Sequence, residues 1–76
     1  MGKLPLLRPQ ELMKILIAMG FELQREQKGS HAFFRHQDGR TTVIPNHPTE
    51  HIDRRLLQKI ITKDLEMTRD DFEKYL

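Results

Sequence analysis

Seventy-six residues make one small domain with a small core, and the absence of cysteine removes disulfides and thiolate metal sites as braces. No apolar run approaches the roughly 20 residues that cross a membrane. The start, Met1-Gly2-Lys3-Leu4-Pro5-Leu6-Leu7, is too short for a signal peptide and lacks the Ser or Thr of a myristoylation motif. The expected location is therefore cytoplasmic, which the lack of cysteine suits. The formal charge of +2 is unevenly spread: residues 1–63 hold 11 of the 13 Lys/Arg and 6 of the 11 Asp/Glu, a net of +5, and residues 64–76 are net −3. A basic body suits a polyanion such as nucleic acid, and it equally suits an ordinary solvated surface.

Residues 9–19 predict an amphipathic helix. Pro9 fits the first helical position and Glu11 the first turn. Leu12, Ile15, Leu16 and Met19 form one apolar stripe at helical spacing. Gly20 supplies a left-handed stop, after which Phe21 can fold back on Leu16.

From Phe21 to Gln27 the period falls to two, with Phe21 and Leu23 on one face and Glu22, Gln24 and Glu26 on the other. Lys28-Gly29-Ser30 predicts a turn. His31 to His36 then forms a second strand with His31, Phe33 and Arg35 facing one way and Ala32, Phe34 and His36 the other. Asp38-Gly39 signals a two-residue hairpin that would pair His36 with Thr41, Phe34 with Val43 and Phe33 with Ile44. The β-branched run Thr41-Thr42-Val43-Ile44 is the third strand, ended by Pro45.

A loop with two prolines runs from Pro45 to His51. Asp53 is placed to cap a second helix with Leu56, Leu57, Ile60 and Ile61 inward and Arg55, Lys59 and Lys63 along another face. Thr68-Arg69-Asp70-Asp71 resembles a capping box for a last short helix, with Met67 set to staple against Phe72. Helix, three strands, helix, short helix is a small α+β sandwich.

Chemistry concentrates at Lys28-Gly29-Ser30-His31. Histidine titrates near neutrality, so His31 can act as a general base, and Lys28 and Arg35 can hold a phosphate. Such a set suffices to activate a ribose 2′-hydroxyl for attack on its own phosphodiester without a metal. The plainer alternative is a strand histidine hydrogen-bonded at a sheet edge. His47 and His51 have the spacing of a helical zinc pair, but Pro48 breaks the helix that such a pair needs, so no metal or other cofactor is expected. Ser30 and His31 are adjacent strand residues that point apart, which disfavours a serine nucleophile. Arg55 and Lys59 can track a phosphate backbone or simply face water. If one sheet face is covered, one of Phe33 and Phe34 is left outward, to stack a base, meet a partner or lie under a chain end.

The ordered set Gly20-Phe21, Lys28-Gly29-Ser30-His31, Phe34-Arg35-His36, Asp38-Gly39 and Pro45-x-His47-Pro48, followed by a Leu- and Ile-rich helix, resembles the HicA-type toxins of toxin–antitoxin pairs. The resemblance runs from about Pro9 to Leu76. It implies a double-stranded-RNA-binding-domain-like fold of order α-β-β-β-α. It also implies a ribosome-independent mRNA interferase, with catalytic His31 and a HicB-type antitoxin partner that covers the site. Lys28, Ser30, Arg35 and His47, with Arg55 and Lys59 on the second helix, are the residues expected to hold RNA. Ala32 stands where relatives often carry a second histidine, which leaves Lys28, His36 and His47 as general-acid candidates. The toxin alone is expected to be monomeric. The alternative is a non-catalytic RNA-binding module that uses the same basic surface.

Overall fold

A computed structural model describes residues 4–27, 31–46 and 50–76. The elements are α1 (Pro9–Met19), β1 (Phe21–Gln27), β2 (His31–His36), β3 (Thr41–Pro45), α2 (Arg54–Lys59) and α3 (Arg69–Glu73), with a π-helical turn at Ile60–Asp64 continuing α2. The three strands form an antiparallel meander in the order β1-β2-β3. This is the α-β-β-β-α order with a short last helix that the sequence predicts. Among the described residues no helix is long and apolar enough to cross a membrane.

The start of α1 follows from its sequence. Pro9 occupies the first helical position, and the Glu11 carboxylate accepts the Arg8 backbone N–H at 2.8 Å. Leu12, Ile15 and Leu16 are buried and Met19 partly so. Gly20 ends the helix at φ 105°, its N–H returning to the Ile17 and Leu16 carbonyls, and Phe21 is buried directly after it. The sheet lays Phe21, Ala32, Phe34, Thr42 and Ile44 against the helices, so that α1 and α2 cover one face only.

Two registers differ from those expected. The β2–β3 turn has three residues inside its closing His36/Arg40 pair: His36 N–H donates to the Arg40 carbonyl at 2.8 Å, and Gly39, at φ 101°, donates back to the His36 carbonyl at 3.0 Å. A turn closed by a left-handed glycine adds one residue to the two-residue hairpin. Phe34 therefore opposes Thr42 and Phe33 opposes Val43, one position from the predicted partners. In β1 a bulge interrupts pairing between Leu23 and Arg25, leaving Gln24 without a partner in β2. Beyond the bulge the faces invert: Arg25 pairs with Phe33 on the open face, and Glu26 pairs with Ala32 on the helical side. There the Glu26 carboxylate accepts from the Asn46 side-chain amide at 2.8 Å.

The helical layer also departs in detail. Asp53 sits at the N-cap of α2, but its side chain makes no cap hydrogen bond. The π turn widens the helix so that Leu57, Ile60, Ile61 and Leu65 all reach the core. It also sets Asp64 where it accepts a 2.9 Å hydrogen bond from the buried Thr42 hydroxyl. Glu66 at φ 55° then turns the chain, and the Thr68 hydroxyl caps α3 by accepting the Asp71 N–H at 3.1 Å. Phe72 is buried and Met67 packs on the core as the staple requires. Ahead of α1, Leu4 and Leu7 join the same core. The Leu7 carbonyl accepts the Ile52 N–H at 2.7 Å and the Leu4 carbonyl accepts Arg54 Nε at 2.8 Å.

Gly20 has a second constraint besides its φ, because a Cβ there would stand 3.0 Å from His36 Nε2. Gly39 has a similar φ and open space around it. Gly20→Ala is expected to destabilise by about 2 kcal/mol or more, and Gly39→Ala by roughly 1, as chemical denaturation of both variants would show. At the same turn, the Arg40 backbone N–H and the Arg40 guanidinium both donate to the Asp38 carboxylate and hold its pKa below the ordinary value. A lowered folded-state pKa means stability present above the unfolded value and lost as pH falls through the folded one. The stability gap between the protein and Asp38→Asn should accordingly be largest near neutrality and close under strongly acidic conditions.

Candidate functional site

The open face of the sheet is built by β2 and its register partners. Alternation along β2 turns Ala32 and Phe34 into the core and leaves His31 and Arg35 exposed and Phe33 half-buried. Phe34 is thus the core phenylalanine and Phe33 the outward one. Beside Phe33 stand Arg25 from β1 and Val43 from β3, its cross-strand partners. The Arg25 guanidinium lies over the Phe33 ring, 5.8 Å from its centroid. Arg25, His31, Phe33 and Val43 line one shallow cleft of about 90 Å³.

His31 opens β2, opposite Gln27 on one side and Pro45 on the other. Its imidazole is exposed at a strand end, where a ligand can approach it. Arg35 shares its face, but it lines a different cleft with Glu22, Gln24, His36 and Gln37, towards the other end of the strand. Arg55 and Lys59 are exposed on α2, in the helical layer. Arg55 lines a third cleft with Leu4, Arg54, Gln58 and Arg69. The sheet face that carries His31 is therefore remote in layer from both α2 cations. Lys28, Ser30 and His47 lie outside the described residues.

His36 has a structural position. It packs edge-on against Phe21 with centroids 5.0 Å apart. Its Nε2 is 3.2 Å from the Met19 carbonyl, and its Nδ1 is 3.1 Å from the Asp38 backbone N–H. A carbonyl needs a donor and an N–H needs an acceptor, so the neutral tautomer with the proton on Nε2 satisfies both contacts. Nδ1 also lies 3.1 Å from Asp38 Oδ1, a contact that would become a charged one only with a second ring proton. His36 is half-buried on the helical side, with both ring nitrogens engaged by neighbouring backbone groups.

Arg25 is the residue that sequence reasoning missed. Strict alternation from Phe21 places it on the core face, and only the bulge at Gln24 turns it outward. A bulge leaves no reliable trace in seven residues of mixed polarity. The one available hint was a full positive charge at a position that alternation would bury. Among the described residues no three His, Asp or Glu side chains come together as a metal-binding group.

In comparison with known proteins, a family model described as the HicA toxin of bacterial toxin–antitoxin systems matches residues 9–67. A comparison with curated proteins finds no match. The matched segment runs from the start of α1 to just before α3, and so contains the open sheet face and its cleft.

Two histidines of one strand thus divide into an exposed and a packed one. His31→Ala should leave the thermal midpoint within about 3 °C, since exposed substitutions stay within roughly ±0.5 kcal/mol. His36→Ala should lower it by several times that shift. Circular dichroism melts of the two variants would check both expectations.

Proposed function

The chain belongs to the HicA toxin family of bacterial toxin–antitoxin systems, and from that membership we propose that it is an endoribonuclease, an mRNA interferase with His31 as its catalytic base. Members of such systems act with an antitoxin, and we assign this chain a HicB-type protein that covers the His31 face. The observation that carries the reading is the exposed His31 imidazole in a cationic, partly aromatic cleft on the sheet face that α1 and α2 leave open. It is the arrangement an unpaired RNA segment needs to reach a base catalyst.

The chemistry follows from the side chains. Neutral His31 takes the proton from a ribose 2′-hydroxyl, and the freed oxygen attacks the adjacent phosphorus. The bond from phosphorus to the 5′-oxygen breaks, leaving a 2′,3′-cyclic phosphate on one fragment and a 5′-hydroxyl on the other. Negative charge gathers on the non-bridging oxygens in the transition state, where the Arg25 guanidinium and Lys28 would stabilise it. Lys28 and His47 remain as donors of the proton that the 5′-oxygen takes up, and Ser30 lies beside the base in sequence. Because the nucleophile is part of the substrate, orientation supplies much of the rate and no metal is required. Arg35, Arg55 and Lys59 are assigned to holding the RNA backbone outside the cleft.

Purified protein should cut single-stranded RNA in the presence of EDTA and leave cyclic phosphate ends. His31→Ala should lower the rate by at least about 100-fold, the ordinary contribution of a general base, with the fold intact. Induced expression should arrest growth, and co-expression of the antitoxin should relieve it. Undiminished cutting by His31→Ala would sink the assignment of the base. Salt-sensitive binding without scission would move the protein to the class of non-catalytic RNA-binding modules.

A further inference from the structure

We propose that the cleft between Arg25, Phe33 and Val43 is a stacking subsite for the unpaired base of the nucleotide that presents its 2′-hydroxyl to His31. The inference rests on the reading of His31 as the catalytic base, and it specifies the substrate as single-stranded RNA held by a base as well as by its backbone.

Four observations converge on it. Phe33 is a large aromatic on the central strand, turned away from the core and only half-buried. Its neighbour Val43 is also exposed, at 47%, so the cleft floor is apolar and open to solvent. Such a surface suits the face of a nucleobase, whose burial against an aromatic ring contributes about 1–3 kcal/mol per base. The Arg25 guanidinium already lies over that ring and shows that a flat, delocalised group fits there. A base can take the guanidinium's place over the ring, with the charge left near the phosphate.

The third observation is the bulge. A break in the β1–β2 ladder leaves Gln24 unpaired and turns a cation out of the core side into this cleft. Bulges recur where a side chain must be re-aimed towards a site. The fourth is distance. His31 and Phe33 stand two residues apart on one face of one strand, roughly 6.5–7 Å along it. A ribose at His31 therefore has its own base within reach of Phe33.

The lining also predicts what the subsite ignores. The lining holds no carboxylate and no side-chain amide; its polar groups are the Arg25 guanidinium, which only donates, and the His31 imidazole, which the parent reading commits to the 2′-hydroxyl. Recognition chiefly by the π-face accepts any base but requires that it be unstacked, so duplex RNA should be a poor ligand of this face.

The test uses the full chain and a trinucleotide of 2′-O-methyl ribonucleotides, which cannot be cut because the attacking hydroxyl is blocked. One version carries 2-aminopurine at the centre, and the other an abasic sugar. Calorimetry should show the base-containing version bound at least about 5-fold more tightly, the lower end of stacking strengths, with quenching of the 2-aminopurine. Phe33→Leu, which keeps an apolar side chain on the sheet, should erase both the preference and the quench. Phe33→Tyr should retain them. Equal affinity for the two ligands, or a preference that survives Phe33→Leu, would overturn the subsite. Cleavage of unmodified RNA judges the parent reading separately. A protein that stacks the base without cutting keeps the subsite and loses the catalytic assignment, and one that cuts without preferring the base does the reverse.

Discussion

The central strand is hydrogen-bonded along both edges, and its two faces carry incompatible residues. Ala32 and Phe34 fill the core, while His31, Phe33 and Arg35 meet solvent. A slip of one residue would bury an imidazole and a guanidinium and expose a phenylalanine, so the register of β2 is strongly specified. The core and the candidate site are consequences of that single choice. The backbone position of each outward residue is set by the packing of the inward neighbour beside it.

At the end of the sheet away from His31, polar contacts replace apolar ones. His36 reaches the last carbonyl of α1 and the turn before β3 at once. Arg40 adds a hydrogen bond to the Leu65 carbonyl at the close of the π turn and lies over the Phe21 ring, 5.2 Å from its centroid. The junction links α1, the β2–β3 turn and the end of the second helix through groups that are mostly half-buried. It explains why Gly20 has no room for a side chain and why His36, for all its chemical promise, serves packing. Residues outside the family match contribute as well: Leu4 and Leu7 before it and Phe72 after it are buried in the common core. In a domain this small, a few added apolar side chains are a substantial part of what opposes chain entropy.

The candidate site is asymmetric in a way that bears on its use. The cleft beside His31 combines one cation with an aromatic floor, whereas Arg55 lies among other arginines in the helical layer. A surface of the first kind distinguishes an unstacked base from a duplex, and one of the second kind offers only charge. Family membership makes the chain a toxin of a toxin–antitoxin system, and the proposed RNA cleavage draws its residues from the open sheet face.

The elements themselves were legible in the amino-acid sequence. The apolar stripe of α1, the Gly20 stop, the alternation of β2 and the Thr68 cap are local signals, written in spacing and in residues with restricted backbone preferences. His31 was legible for the same reason, since the alternation of β2 fixes its face by counting. The order of residues that resembles the HicA family added the function, which no spacing contains. Tertiary structure alone decided the three-residue hairpin, the bulge at Gln24, the π turn and the missing cap hydrogen bond of Asp53. The hairpin and the bulge each insert one residue into a strand pair, and one inserted residue inverts every face beyond it. Arg25 therefore reached the cleft of His31. The sequence determined which face the imidazole of His31 occupies; only the folded sheet determined its neighbours.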